Sequence, residues 1–302
     1  MAFNEIYQRQ VALLLRVLPD VATEACFALK GGTAINLFLR DMPRLSVDID
    51  LTYLPVEPRA DSLRAIDAAL TRIKGRIQER VPRVQIRETR NEGAVTRLLV
   101  RADGAQIKIE VTPVLRGCVF EPQVRPVSSK VEDAFGFAET QVVSFADLYG
   151  GKLVAALDRQ HPRDFFDVRE LLAQEGVDDT LRRAFVIYIL SSSEPIPRLL
   201  APPRKAIDKE FLRNFEGMTD VPVPLAELTK ARDAMIDTMV GAMPVAHRQF
   251  LVSFARGRPD WALFDVVGAE QLPAVRWRQQ KLDQLSEDER AAEAAKLEQV
   301  WT

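Results

Sequence analysis

The sequence predicts an α+β protein: a mixed sheet flanked by helices, followed by a mostly helical C-terminal part. Three observations predict it. The pair Gly31-Gly32 opens a short helix that leads into a strand over 46–51 carrying Asp48 and Asp50. Three more runs with strand alternation lie between 84 and 111. From Phe145 onward the apolar spacing is helical, and prolines punctuate the segments.

Residues 3–18 read as an amphipathic helix, with Ile6, Val11, Leu14, Leu15 and Leu18 near helical spacing. Pro19 and Asp20 are expected to start a second helix that includes Ala25, Phe27 and Leu29. The glycine turn then continues as a helix from Thr33 to Arg40, and Asp41-Met42-Pro43 turns the chain into the strand. Strand side chains alternate, so Asp48 and Asp50 share one face while Val47, Ile49 and Leu51 share the other. A turn at 55–58 precedes a helix from Asp61 to about Arg80, ended by Pro82. Strands over 84–87, 96–101 and 106–111 follow, the last two joined by the hairpin signal Asp103-Gly104. Residues 113–141, with Pro113, Pro122 and Pro126, read as irregular. Val142-Val143 is a short strand, and Ser144 is a good N-cap for the helix from Phe145 to Arg159. Further helical segments are predicted over 180–192, 205–215, 224–243, 245–256, 261–267, 273–285 and 287–300, the last opened by the capping box Ser286–Glu289. The expected domains are 1–175 and 176–302.

Length and composition narrow the class. A chain of 302 residues buries a large core, and its 47% hydrophobic and 28% charged shares are those of an ordinary globular protein. No apolar run approaches a membrane span, and MAFNEIYQRQ reads as neither a signal nor a transit peptide. Cys26 and Cys118 lie in apolar settings and read as buried thiols. With only His161 and His247 present, a His-rich zinc site is disfavoured. A cytoplasmic enzyme is expected. The net charge of −2 means that any nucleic-acid substrate must meet a local basic face.

The first motif carries chemistry. Two carboxylates at i and i+2 on a strand repel each other unless a cation sits between them. Mg²⁺ is a natural occupant, held by a few carboxylates together with nucleotide phosphates. Side-chain-free glycines let backbone come close to a phosphate. Gly31-Gly32-Thr33-Ala34 with Arg44-x-Ser46-x-Asp48-Ile49-Asp50 resembles the polymerase-β-like nucleotidyltransferase superfamily. More closely it is similar to the AbiEii-type nucleotidyltransferase toxins, a group related to the MenT-type tRNA nucleotidyltransferase toxins. The resemblance implies a nucleotidyltransferase domain over 1–175. There Asp48 and Asp50 would be catalytic and bind one or two Mg²⁺, and Gly31, Gly32, Thr33, Arg44 and Ser46 would serve the nucleotide. Relatives of the superfamily place a third metal-binding carboxylate on a later strand. Glu110, in the run Lys108-Ile109-Glu110-Val111, matches that position; the same residue also reads as an ordinary solvent-facing strand glutamate.

A second block lies in 145–172. Lys152, Leu153, Ala155, Arg159, Arg163, Asp164 and Asp167 fall in the order of the second block of the AbiEii-like family. Asp164 and Asp167, three apart on a helix, share a face. The resemblance implies that Lys152 serves the nucleoside triphosphate and that an aspartate here is needed for activity, with Asp167 preferred to Asp164. Lysine is a compact cation for phosphate oxygens, and Arg159 and Arg163 suit bidentate phosphate contacts. Gly150-Gly151 weakens its helix by about 1 kcal/mol per glycine; close approach of this helix to the sheet, bringing Lys152 towards the nucleotide, is the expected compensation. The family implies the toxin of a toxin–antitoxin or phage-defence (abortive infection) pair, with tRNA as acceptor and a cognate antitoxin as partner. The alternatives are a small-molecule nucleotidyltransferase of the antibiotic-modifying kind and a non-catalytic nucleotide-binding protein on the same scaffold.

Overall fold

The computed structural model describes residues 5–302; residues 3 and 4 of the first expected helix lie outside them. The chain divides into two compact units, Met1–Ser144 with Phe215–Pro222, and Phe145–Asn214 with Val223–Thr302. The expected boundary at 175/176 follows motif content. Packing parts the chain at 144/145, because the helices of the second block pack on the helices that follow them.

The first unit is built on a mixed sheet, whose seven strands among the described residues run in the order β3-β4-β5-β2-β1-β7-β6. These are β1 (Phe27–Lys30), β2 (Asp48–Tyr53), β3 (Gln85–Asn91), β4 (Ala94–Ala102), β5 (Ala105–Arg116), β6 (Gln123–Pro126) and β7 (Glu139–Val142). The helices α1 (Glu5–Ala22) and α3 (Arg59–Arg80) pack on its strands. Their apolar stripes, Val11, Leu14, Leu18 and Ile66, Leu70, Ile73, are fully buried. β2 runs antiparallel to β1 and parallel to β5, with Asp48 opposite Lys108 and Asp50 opposite Glu110.

Local chemistry accounts for most of these elements. Glu92-Gly93 and Asp103-Gly104 take positive φ at both positions, the geometry of tight hairpin turns. They fold β3, β4 and β5 into a meander. Two expectations are corrected. Pro19 does not start a helix; it lies inside α1, one turn from its end, where the stripe Val11–Leu18–Val21 carries the helix through. Phe27 to Lys30 is the interior strand β1, not a helix. Its first three residues are all buried, so the alternation that marks a half-exposed strand is absent. The stretch 113–141 is also more ordered than expected. β5 extends to Arg116, and β6, the helix α4 (Ser129–Phe135) and β7 follow. Pro126 is accommodated because β6 is an edge strand.

The second unit is helical: α5 (Phe145–Arg159), α6 (Pro162–Gln174), α7 (Asp179–Ser191), α8 (Ile196–Leu200), α9 (Asp208–Asn214), α10 (Leu225–Ile236), α11 (Val245–Ala255), α12 (Pro273–Asp283) and α13 (Glu287–Glu298). The capping box at Ser286 and Glu289 forms as expected. Gly150 and Gly151 lie close against α7. A Cβ on Gly150 would lie 3.0 Å from the Phe185 amide nitrogen, and one on Gly151 3.1 Å from the Tyr188 ring. No helix among the described residues is long and apolar enough to cross a membrane.

Candidate active site

In the first unit the sequence places one cluster at the junction of β1, β2 and β5. Gly31-Gly32-Thr33 forms a first helical turn, α2, that continues as a wider π-type turn over Ala34–Leu39. Gly31 has φ +77°, and a Cβ there would stand 2.9 Å from Asp50 Oδ2. Glycine is favoured there by its left-handed conformation, and the Asp50 carboxylate lies close against it. Gly32 is required by packing: a Cβ would lie 2.7 Å from Arg44 Nη2 and 2.9 Å from Ser46 Oγ. Arg44 is only 2% exposed and Ser46 8%. Both lie under the glycine turn as its supports. Thr33 Oγ1 donates to the Asp48 carbonyl and lies 3.0 Å from Ser46 Oγ, tying the turn to the start of β2.

A segment distant in sequence braces the same place. Phe215–Pro222 belongs to the first unit. The Leu45 amide donates to the Met218 carbonyl at 2.8 Å, and the Asp220 amide to the Pro43 carbonyl at 3.2 Å. Nothing local in 215–222 announces this return; its signal is the long-range pairing itself.

Asp48 and Asp50 project on one face of β2, while Ile49 and Leu51 are buried on the other, as alternation requires. Both aspartates are about a third exposed, with side-chain exposures of 37% each. On β5, Lys108 and Glu110 share their face. The Lys108 ammonium stands 2.8 Å from Glu110 Oε2 and 3.9 Å from both Asp48 Oδ2 and Asp50 Oδ1. Glu110 also accepts from Arg97 on β4, with Nε at 2.9 Å. Burial works against the charged forms of Lys108 and Glu110. Their mutual bond prevails, helped by Asp50 and Asp48 around Lys108 and by Arg97 beside Glu110. It raises the Lys108 pKa and lowers that of Glu110. Lys30, opposite Asp50 on β1, is pushed down by burial against the pull of Asp50. Lys108, Lys30 and Arg97 are the residues that sequence reasoning missed at this cluster. The one signal available was the cross-strand register that sets Lys108 against Asp48.

The donor set fits a hard divalent ion. Among the described residues no three His, Cys, Asp or Glu side chains group as a metal cage. Asp48 and Asp50 form a pair that the Lys108 ammonium approaches from β5. One or two carboxylates completed by substrate phosphates are what Mg²⁺ ordinarily takes from a nucleotide-handling protein.

The second block forms a cluster in the second unit. Lys152 on α5 is 6% exposed. Its ammonium stands 2.9 Å from Asp164 Oδ1 and 2.9 Å from Asp167 Oδ2, both on α6. Those aspartates are 0% and 1% exposed. Arg159 donates to Asp164 through Nε at 2.6 Å and Nη2 at 2.8 Å, while most of its own side chain stays exposed. Burial opposes the Asp164 carboxylate, but Lys152 and Arg159 outweigh it and hold its pKa far below the ordinary range. Arg163 is half-exposed in the first turn of α6. The expected pairing of Asp164 and Asp167 on one face is thus realised, and the face is turned onto α5.

A glycine turn set against paired strand carboxylates, on a mixed sheet, is the arrangement that the sequence resemblance associates with nucleotidyltransferases. Residues 12–281 match the profile of the family described as Nucleotidyl transferase AbiEii toxin, Type IV TA system, and the chain belongs to that family. Its members are nucleotidyltransferase toxins, which makes this protein a nucleotidyltransferase. Among solved structures, the nucleotidyltransferase toxin MenT4 from Mycobacterium tuberculosis shares the fold at a TM-score of 0.56 and 17% identity, over 90% of this chain and 93% of that one. A comparison with curated proteins gives no significant match.

Proposed function

We propose that the protein transfers a nucleoside monophosphate from a nucleoside triphosphate to the 3′ end of tRNA, with Mg²⁺, as a cytoplasmic toxin restrained by a cognate antitoxin. The observation that carries this reading is the Asp48/Asp50 pair, set beside a glycine turn whose Gly31 lies close against Asp50. Mg²⁺ held by Asp48 and Asp50 would orient the α-phosphate and acidify the attacking hydroxyl. The acceptor oxygen bonds to the α-phosphorus, the bond to the bridging oxygen breaks, and pyrophosphate leaves.

The chain's own groups divide the remaining work. Gly31 and Gly32 let backbone approach the β- and γ-phosphates, and Thr33 locks that turn to β2. Arg44 and Ser46, buried beneath it, position the turn. Glu110 is assigned to Lys108, not to the metal. Lys152, Asp164 and Asp167 act as positioning groups that set α5 against α6. Arg159 and Arg163 are the cations of that block that reach the surface, where a phosphate can meet them. For the acceptor, the second unit offers a cleft of about 610 Å³ whose lining includes Arg248, Arg256, Arg258, Arg290 and Trp301 together with Glu287 and Glu298, the latter paired to Arg256 at 2.8 Å. Clustered arginines with an aromatic are suited to a nucleic-acid backbone.

The test is a labelling assay with total tRNA, Mg²⁺ and each α-labelled triphosphate, beside Asp48→Ala. Label on tRNA with the native protein alone is the expected result. Label on a small hydroxylated acceptor, and none on RNA, would favour a small-molecule enzyme instead, a reading that the net charge of −2 keeps in view. Equal label from Asp48→Ala would refute the assignment of the site.

A further inference from the structure

If Asp48 and Asp50 are the metal-holding pair, the Lys108 ammonium stands closest to them without a role in the transfer reaction. Lys108 is not on the glycine turn, not in the second block, and not a metal ligand. Resting on that reading, the geometry points to Lys108 as a tethered competitor of the divalent ion, an ammonium that takes the cation position beside the aspartates when no nucleotide is bound.

Register puts it there. β2 and β5 run parallel, so Asp48, Asp50, Lys108 and Glu110 form a square on one face of the sheet. Lys108 lies across from Asp48 and leans along its own strand to Glu110, at 2.8 Å. Glu110 is in turn held by Arg97, its register partner on β4. This anchor keeps the ammonium 3.9 Å from an oxygen of each aspartate. Lys30, the register partner of Asp50 on β1, adds a third lysine or arginine near the three carboxylates, beside Lys108 and Arg97.

A divalent ion entering between Asp48 and Asp50 would stand within a few ångströms of that ammonium. Repulsion at such a distance is strong in a partly desolvated site. Either the ion binds weakly or Lys108 swings out, which its flexible four-carbon stem and 29% exposed side chain permit. A triphosphate brings negative charge along with the metal and gives the displaced ammonium a new partner. The nucleotide-free protein should therefore hold divalent metal poorly, and Lys108 should be the reason.

The experiment is a titration of the full chain with Mn²⁺ alone, without nucleotide, at fixed ionic strength, with free Mn²⁺ read by electron paramagnetic resonance. Lys108→Met and Lys108→Gln are expected to bind at least tenfold more tightly than the native protein, and Asp48→Asn to bind less well. Two replacements of different polarity guard against one that fails to fold, and thermal unfolding confirms that each is native. If both Lys108 variants bind Mn²⁺ no better than the native protein while Asp48→Asn loses affinity, the competitor role is overturned and the metal site stands. If Asp48→Asn and Asp50→Asn bind Mn²⁺ as the native protein does, the metal reading fails and this inference fails with it.

Discussion

Lys152 shows how far burial changes the meaning of a cation. As a phosphate ligand it would be a solvent-facing ammonium, and its loss would touch only the triphosphate. In the structure it is enclosed by two carboxylates at 2.9 Å that are themselves almost wholly buried. Lys152→Met keeps the length and removes the charge, so two buried aspartates surround an apolar side chain. Removing one partner from a buried pair costs about 3–5 kcal/mol. A domain of this size loses about 2–4 °C per kcal/mol, so a fall in midpoint of about 6–20 °C follows from both ranges. Thermal unfolding at neutral pH, followed by circular dichroism, measures it. The triple variant Lys152→Met, Asp164→Asn, Asp167→Asn should recover part of the loss, because the buried carboxylate charges go with their ammonium. A Lys152→Met protein unfolding within about 2 °C of the native one would refute the keystone role, since that shift corresponds to less than about 1 kcal/mol.

Other expectations follow from single contacts. Gly150→Ala should destabilise by about 1–3 kcal/mol through overpacking on the α7 backbone, despite alanine's better helix propensity. Gly75→Ala in α3, where a Cβ meets nothing within 4 Å, should stabilise by about 0.5–1 kcal/mol; chemical denaturation reads both signs. Asp164 has a folded pKa depressed from 3.8. Its contribution is therefore fully present above the unfolded value and is lost as pH falls through the folded one. Below pH 4 the stability of Asp164→Asn should fall less steeply than that of the native protein, by up to about 1.4 kcal/mol per pH unit. Arg258→Glu should weaken tRNA binding and reduce its salt dependence by about one unit of slope, measured by filter binding at several salt concentrations; unchanged affinity would remove the cleft from the acceptor surface.

The carboxylate pair is legible along the chain because it depends on nearest-neighbour geometry. Residues two apart on a strand must share a face, and Asp48 and Asp50 do. The tight turn at Asp103-Gly104 and the capping box at Ser286 are legible for the same reason: each is closed by residues within a few positions of one another. β1 is not legible, because a strand buried in the interior of a sheet carries no alternation to distinguish Phe27, Ala28 and Leu29 from a buried helix. Pro19 misleads because a proline signals a boundary only where packing does not carry the helix through it.

By itself, then, the order of residues determined the motifs, their local conformations, the class of fold and the family. Tertiary structure decided what each charge does. Whether Lys152 faces solvent or two aspartates depends on how α5 meets α6. Whether Gly150 is a weakness or a fitting depends on the distance to α7. That Lys108 stands against Asp48 and Asp50 depends on the register of two strands separated by a helix and a hairpin. These are long-range distances, and electrostatic and packing energies vary steeply over an ångström or two, so no pattern read along the chain contains them.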